Sequence, residues 1–254
     1  MRLASAFFAI ILLLAGFIFF TPAPQGFPIL EYHSVTNKTD PESEIYNVPP
    51  AEFSAQLDYL QQKGYTTITL LDYARAYNGV EELPEKPIVL TFDDGYENLY
   101  TEMLPILEAH KMKAVVYVIT NRLGKPGYLT IEELKEMQAR GIEIGSHSAD
   151  HLPLVTLSGE FLENQIHGSK TFLEWNGLGY IYSFSYPNGV YNREIVEMLK
   201  QEKFFTAVTG EAGLNDFNTD PFLLKRVNIR KPRFGIYEFR WRLFKAELFA
   251  RFRK

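Results

Sequence analysis

The chain contains no cysteine. That excludes disulfides, thiolate metal sites and cysteine nucleophiles together. Export stays open, because a chain of 254 residues can bury a core without covalent staples. Histidine is scarce, with 5 copies, so any metal centre has to be built from a few imidazoles and from carboxylates. Glycine (17) and proline (14) are too few for a collagen-like or low-complexity chain. Positive charge is short everywhere but at one end. Before Arg230 there are 17 Lys/Arg against 29 Asp/Glu, whereas Arg230 to Lys254 carries nine against two. An acidic body does not suit a phosphate backbone, and no nucleic-acid partner is expected. Apolar residues make up 46%, which is enough for a sizeable core.

The two ends read differently from the body. Ala4 to Phe20 is a largely apolar run without a charge, preceded by Arg2 and followed by Thr21-Pro22-Ala23-Pro24. It reads as an apolar helix serving as a membrane anchor or a cleaved signal, with the rest of the chain exported. Arg2 favours the N-terminus inside and the domain outside, either anchored on the outer face or secreted. At the other end Tyr237, Trp241, Phe244, Leu248 and Phe249 fall near helical spacing, with Arg240, Arg242, Lys245, Arg251 and Arg253 between them. This reads either as a helix packing its stripe on the domain or as a basic amphipathic helix on an anionic membrane. The expected division is residues 1–26 as signal or anchor, 27–235 as one domain, and 236–254 as a basic C-terminal helix.

Within the body, β-branched runs alternate with helical patterns. Strands are expected at Pro28–His33, Thr66–Leu70, Ile88–Phe92, Ala114–Ile119, Ile142–Ser146, Tyr182–Tyr186, Phe205–Val208 and Val227–Ile229. Helices are expected at Ala51–Lys63, Tyr96–His110, Thr130–Ala139, Ser158–Trp175 and Arg193–Glu202. Thr130 with Glu133 forms a capping box at the start of its helix. Such alternation predicts an α/β fold with a parallel sheet, and the absence of an inner linker favours one barrel-like domain.

In such a fold, polar residues at strand ends carry function. Asp93 and Asp94 end the apolar run Ile88-Val89-Leu90-Thr91-Phe92; they suit a shared site, and equally a turn and helix cap. His147 and His151 are four apart and would share a face if the segment makes one helical turn. Two histidines and one carboxylate make a facial metal set, with Asp94 as the carboxylate and Asp93 left as a base. His110 and His167 lie in helical patterns and read as structural or exposed. Tyr32, Tyr186 and Tyr191 near strand ends suit sugar stacking or rim packing.

Thr91-Phe92-Asp93-Asp94-Gly95 and His147-Ser148-Ala149-Asp150-His151 resemble the first two signature motifs of the polysaccharide deacetylase (NodB-homology) family. The resemblance covers about residues 28–230. It implies a single distorted (β/α) barrel of about seven strands and metal-dependent removal of N-acetyl groups from sugars. It also implies Asp93 as general base and Asp94, His147 and His151 as metal ligands, with zinc first and Co, Ni, Mn or Fe on the same ligands. Phe184-Ser185-Tyr186-Pro187-Asn188-Gly189 resembles the third motif, with Ser185 in place of the family's arginine and Asn188 in place of its aromatic residue. The backbone N–H of Asn188 would serve an oxyanion. Ile29-Leu30-Glu31-Tyr32-His33-Ser34-Val35 and Leu224-Lys225-Arg226-Val227-Asn228-Ile229 resemble the poly-N-acetylglucosamine deacetylase subgroup. On that resemblance His33 would be the general acid and Arg226 the cation beside Asp93. The alternatives are a peptidoglycan or chitin-oligomer deacetylase, or an inactive cell-surface glycan-binding protein.

Overall fold

The segment Pro87–Phe92, PIVLTF, is buried along nearly its whole length, as a strand covered on both faces must be. The computed structural model describes residues 26–38 and 44–252. The expected Ala4 to Phe20 helix, with its anchor or signal role, lies outside the described residues. Among the described residues ten strands run in chain order: β1 (Ile29–Tyr32), β2 (Ser34–Val35), β3 (Asn47–Val48), β4 (Thr66–Thr67), β5 (Pro87–Phe92), β6 (Val115–Val118), β7 (Glu143–Ser146), β8 (Ser183–Ser185), β9 (Thr206–Ala212) and β10 (Leu224–Asn228). The order β1-β10-β9-β8-β7-β6-β5 closes on itself through a β1–β5 pairing, giving a parallel barrel of seven strands. Strand β4 adds to the start of β5, and β2 pairs with β3 in a separate two-stranded sheet. The (β/α) barrel expected from the resemblance is therefore the fold observed.

Strand period two sorts the residues. Ile29, Val89, Val115, Val208 and Leu224 form one core cluster with Tyr117 and fill the barrel lumen. Leu30, Tyr32, Leu90, Phe92 and Val116 belong to the second cluster, under the helices. The same parity turns Glu31, Thr91, Asp93 and Arg226 inward, so the lumen changes from apolar to polar toward the C-terminal strand ends. Gly145 is needed in this lumen, since a Cβ there would stand 2.5 Å from the Tyr117 ring.

Helices Pro50–Gln62, Ile131–Ala139 and Arg193–Gln201 sit where the patterns predict them. The Thr130–Glu133 capping box is present. The expected strand Thr66–Leu70 is cut to Thr66–Thr67, because Thr69 caps a helix Leu70–Tyr77 in a second capping box with Asp72. The expected helix Ser158–Trp175 is a run of α and π turns from Gly159 to Leu178. Tyr32 and Tyr186 are buried core residues that hydrogen-bond to Gln56 and to the Phe222 carbonyl, so they offer no sugar platform. The C-terminal helix Ile236–Phe252 docks through Phe239 and Leu243, with Phe239 edge-on to Tyr59. The Tyr237, Trp241, Phe244 and Phe249 stripe is exposed, with Trp241 and Phe249 at the edge of a groove that the helix shares with Leu214, Asp216 and Lys225.

Candidate active site

Every barrel strand runs the same way, so the residues after each strand meet at one end. His33 follows β1, Asp93 and Asp94 follow β5, His147 follows β7, and Asn188 lies in the turn after β8. At β5 the chain turns sharply: Asp94 and Gly95 both have φ of +74°. Aspartate tolerates this region, while position 95 requires glycine twice over. An added Cβ at Gly95 would stand 2.9 Å from Val118 Cγ1. Gly95→Ala should lower Tm by roughly 5 °C, from strain and overpacking of about 1–3 kcal/mol. An unchanged thermal melt would show that the turn absorbs the methyl.

His147 and His151 do meet, but not on a helical turn. Ser148 and His151 take φ of +66° and +60°, folding the loop back so the rings stand 4.7 Å apart edge to face. Side chains fix this loop: Ser148 Oγ accepts the His151 N–H at 2.9 Å, and Asp150 is held by Asn121 and Gln165. One oxygen of Asp94 lies 3.7 Å from Nε2 of both histidines. Ligands of one tetrahedral ion at ~2.0 Å bonds stand roughly 3.3 Å apart, so this spacing suits a shared cation. His147 Nδ1 donates to the Ser185 carbonyl at 2.8 Å, which leaves the Nε2 lone pair facing Asp94. Burial, then the neighbouring His147, pushes the His151 imidazole down to about 4, keeping it neutral and able to ligate at ordinary pH. The donor set fits a divalent metal.

Asp93 stands beside this set, its Oδ2 3.8 Å from His147 Nε2. It is buried and gripped by Arg226 in a two-pronged pair, Nη1 to Oδ1 at 2.9 Å and Nη2 to Oδ2 at 2.8 Å. Burial opposes the Asp93 charge, but Arg226, then His147 and His33, outweigh it and hold the carboxyl well below the usual range. Burial likewise opposes the Arg226 charge, and Asp93 and Glu31 more than restore it. The Arg226 Nε donates to the Thr209 carbonyl at 3.0 Å, which a register shift between β9 and β10 makes available. Ser185 Oγ donates to Asp93 at 3.2 Å and accepts from Arg226 at 3.3 Å. A hydroxyl where the resemblance expects arginine thus leaves room for a guanidinium delivered from β10.

His33 is half-buried, with its ring 4.4 Å from that of Tyr46, and one of its ring nitrogens is within 4.8 Å of oxygens of Glu31 and Asp93. Its Nδ1 is buried without a hydrogen-bond partner among the described residues. Asn188 sits exposed on the β8 turn at φ +59°, away from the polar cluster's hydrogen bonds. Sequence reasoning missed Glu31, 3.3 Å from Arg226 Nη2, and the contact of Thr91 with Arg226 Nη1. The inward parity of β1 and β5 was the available signal. His110 and His167 pair with Asp58 and Glu202, far from the cluster in the chain and outside it in space.

The chain is similar to known proteins in sequence and fold. The polysaccharide deacetylase family matches residues 81–206. YxkH of Bacillus subtilis (strain 168), assigned by name to the polysaccharide deacetylases, is 32% identical over 82% of this chain and 73% of its own length. The poly-beta-1,6-N-acetyl-D-glucosamine N-deacetylase of Escherichia coli O157:H7 is 23% identical over 79% of this chain, which spans 36% of that longer protein. The structure of Streptococcus pyogenes deacetylase PplD in complex with acetate superposes with a TM-score of 0.79 at 26% identity, covering 88% of this chain and 99% of the other. With a barrel, a strand-end cluster and a relative at this level of identity, the chain belongs to the polysaccharide deacetylase family, whose members are amide-hydrolysing enzymes.

Proposed function

We propose that this protein is a metal-dependent N-deacetylase of N-acetylglucosamine polymers, with poly-β-1,6-N-acetylglucosamine as the favoured substrate. The carrying observation is Asp94, His147 and His151 converging on one point with the ionised Asp93 alongside. The name of the Escherichia coli relative supports the polymer. So does delivery of the cation from Arg226 with His33 at the rim, the arrangement that the subgroup resemblance implies.

A divalent metal held by Asp94, His147 and His151 would activate water and polarise the amide carbonyl. Asp93 accepts the proton of the attacking water, and Arg226 keeps it ionised and aimed. In this reading the Asn188 N–H, on the turn after β8, takes the developing oxyanion. His33 gives a proton to the departing amine, from a ring held against Tyr46. The N-terminal segment would keep this domain outside the cell, anchored or released.

The test is acetate release from β-1,6- and β-1,4-linked N-acetylglucosamine oligomers, after chelation and again with Zn, Co or Ni returned. Metal-restored release from β-1,6 oligomers is expected. Release from β-1,4 oligomers alone would move the reading to wall or chitin substrates. A folded protein inactive with every metal would be a glycan-binding one. His33→Ala should cut turnover by roughly 10²-fold with bound metal unchanged. Parallel loss of metal would remove His33 from the acid role.

A further inference from the structure

The C-terminal helix turns its apolar stripe the wrong way for a core helix. Phe239 and Leu243 face the domain at 2% and 4% exposure, while Tyr237 and Trp241, on the opposite side, are 71% and 58% exposed. Phe249, at the edge of a groove shared with Leu214 and Lys225, is 53% exposed, and Phe234 just before the helix is 75% exposed. A contiguous aromatic surface turned to water marks a contact site. Arg240 and Lys245 flank it, stacked at 5.9 and 5.4 Å on Tyr237 and Phe249, and neither has a carboxylate partner among the described residues. A groove of about 890 Å³ beside the helix adds Arg230 and Arg233 to the same surface, while its two carboxylates, Glu44 and Glu238, are paired with Lys231 and Arg242.

We infer that the outward face of helix Ile236–Phe252 lies on an anionic phospholipid surface. Amphipathic rings suit the headgroup boundary, and the flanking cations suit the phosphates there. Charge selects the occupant and the orientation. Arg230 to Lys254 carries nine Lys/Arg and two Asp/Glu and the rest of the chain is net acidic, so attraction to a negative bilayer centres on this end of the chain. A second copy would set two basic faces against each other. Arg230 also stands 5.8 Å from the Tyr46 ring, which packs on His33, so contact would bring the site rim near the bilayer.

The chain has 2 tryptophans, Trp175 and Trp241, which allows a residue-specific test on the full chain. Trp175→Phe leaves Trp241 as the only reporter, and Trp241→Phe leaves Trp175. With phosphatidylglycerol vesicles brominated in the acyl chains, Trp241 emission should shift to the blue and be quenched. Trp175 emission should not change, and phosphatidylcholine vesicles should quench Trp241 far less. Neutralising Arg240 and Lys245 to Gln should weaken binding roughly fivefold for each residue. This readout is separate from any attachment through the N-terminal segment. The inference is overturned if Trp241 stays unquenched, whether or not the chain sediments with vesicles, or if phosphatidylcholine quenches it equally. It is also overturned if Trp241 responds instead to protein concentration (a second copy) or to N-acetylglucosamine oligomers (a sugar platform).

Discussion

Asp93→Asn should lower acetate release by roughly 10³–10⁴-fold while leaving bound metal at its wild-type level. The amide cannot take the water proton, which removes the base. It also spoils the grip of Arg226, because Nη1 and Nη2 now reach one acceptor on each carboxylate oxygen. An asparagine must turn an NH₂ toward one of them, so two donors face each other. Asp94, His147 and His151 keep their positions, since Asp93 is hydrogen-bonded to none of them. Cobalt bound to the variant should therefore keep its stoichiometry and visible spectrum. This separates two roles that the distances leave adjacent, for Asp93 Oδ2 is only 3.8 Å from His147 Nε2. Loss of metal in step with activity would make Asp93 a ligand rather than the base.

The paired carboxylates and the two histidines were legible because they sit at the ends of strands whose apolar runs are unmistakable. What was not legible was how they meet. The four-residue spacing suggests a helical turn, yet the rings converge through the left-handed Ser148 and His151. Spacing constrains distance along the chain, and side-chain hydrogen bonds such as that from the His151 N–H to Ser148 Oγ decide the path. Arg226 was reachable through the subgroup resemblance alone. Nothing local to β10 says that its guanidinium meets a carboxylate 133 residues earlier, because barrel closure is a non-local event. Glu31 was hidden for the same reason, although the alternation of β1 places it on the inner side with Ile29. The helix Leu70–Tyr77 was lost because Thr66 to Leu70 looks β-branched, and the capping box at Thr69 outweighed that propensity. For the C-terminal helix, periodicity found the stripe and left open which side was covered. Phe239 and Leu243, outside the stripe, do the docking.

Arg226→Met tests the other half of the Asp93 pair. Removing one partner of a buried ion pair leaves an uncompensated charge, a loss of about 3–5 kcal/mol. For a domain of this size that is a Tm lower by roughly 10 °C. The sign of the pH effect follows from Asp93. Its folded pKa lies below the unfolded one, so the pair's stabilisation is present above about pH 4 and fades as pH falls toward the folded value. In Arg226→Met the carboxyl loses the main group holding it down, burial then dominates, and the acid limb of the activity profile should move to higher pH. Arg226→Lys should recover part of the pH profile and less of the stability, because an ammonium keeps the charge and loses the two-pronged geometry. The double variant Asp93→Asn/Arg226→Met should melt above Arg226→Met alone, since no buried charge is left unpaired at position 93, and should stay inactive. If instead the two single losses in Tm simply add, Arg226 stabilises the barrel through Glu31 and the Thr209 carbonyl and not through Asp93. An acid limb unmoved in Arg226→Met would carry the same meaning for catalysis: the guanidinium would be part of the lumen's packing, and the ionisation of Asp93 would rest on the metal site beside it.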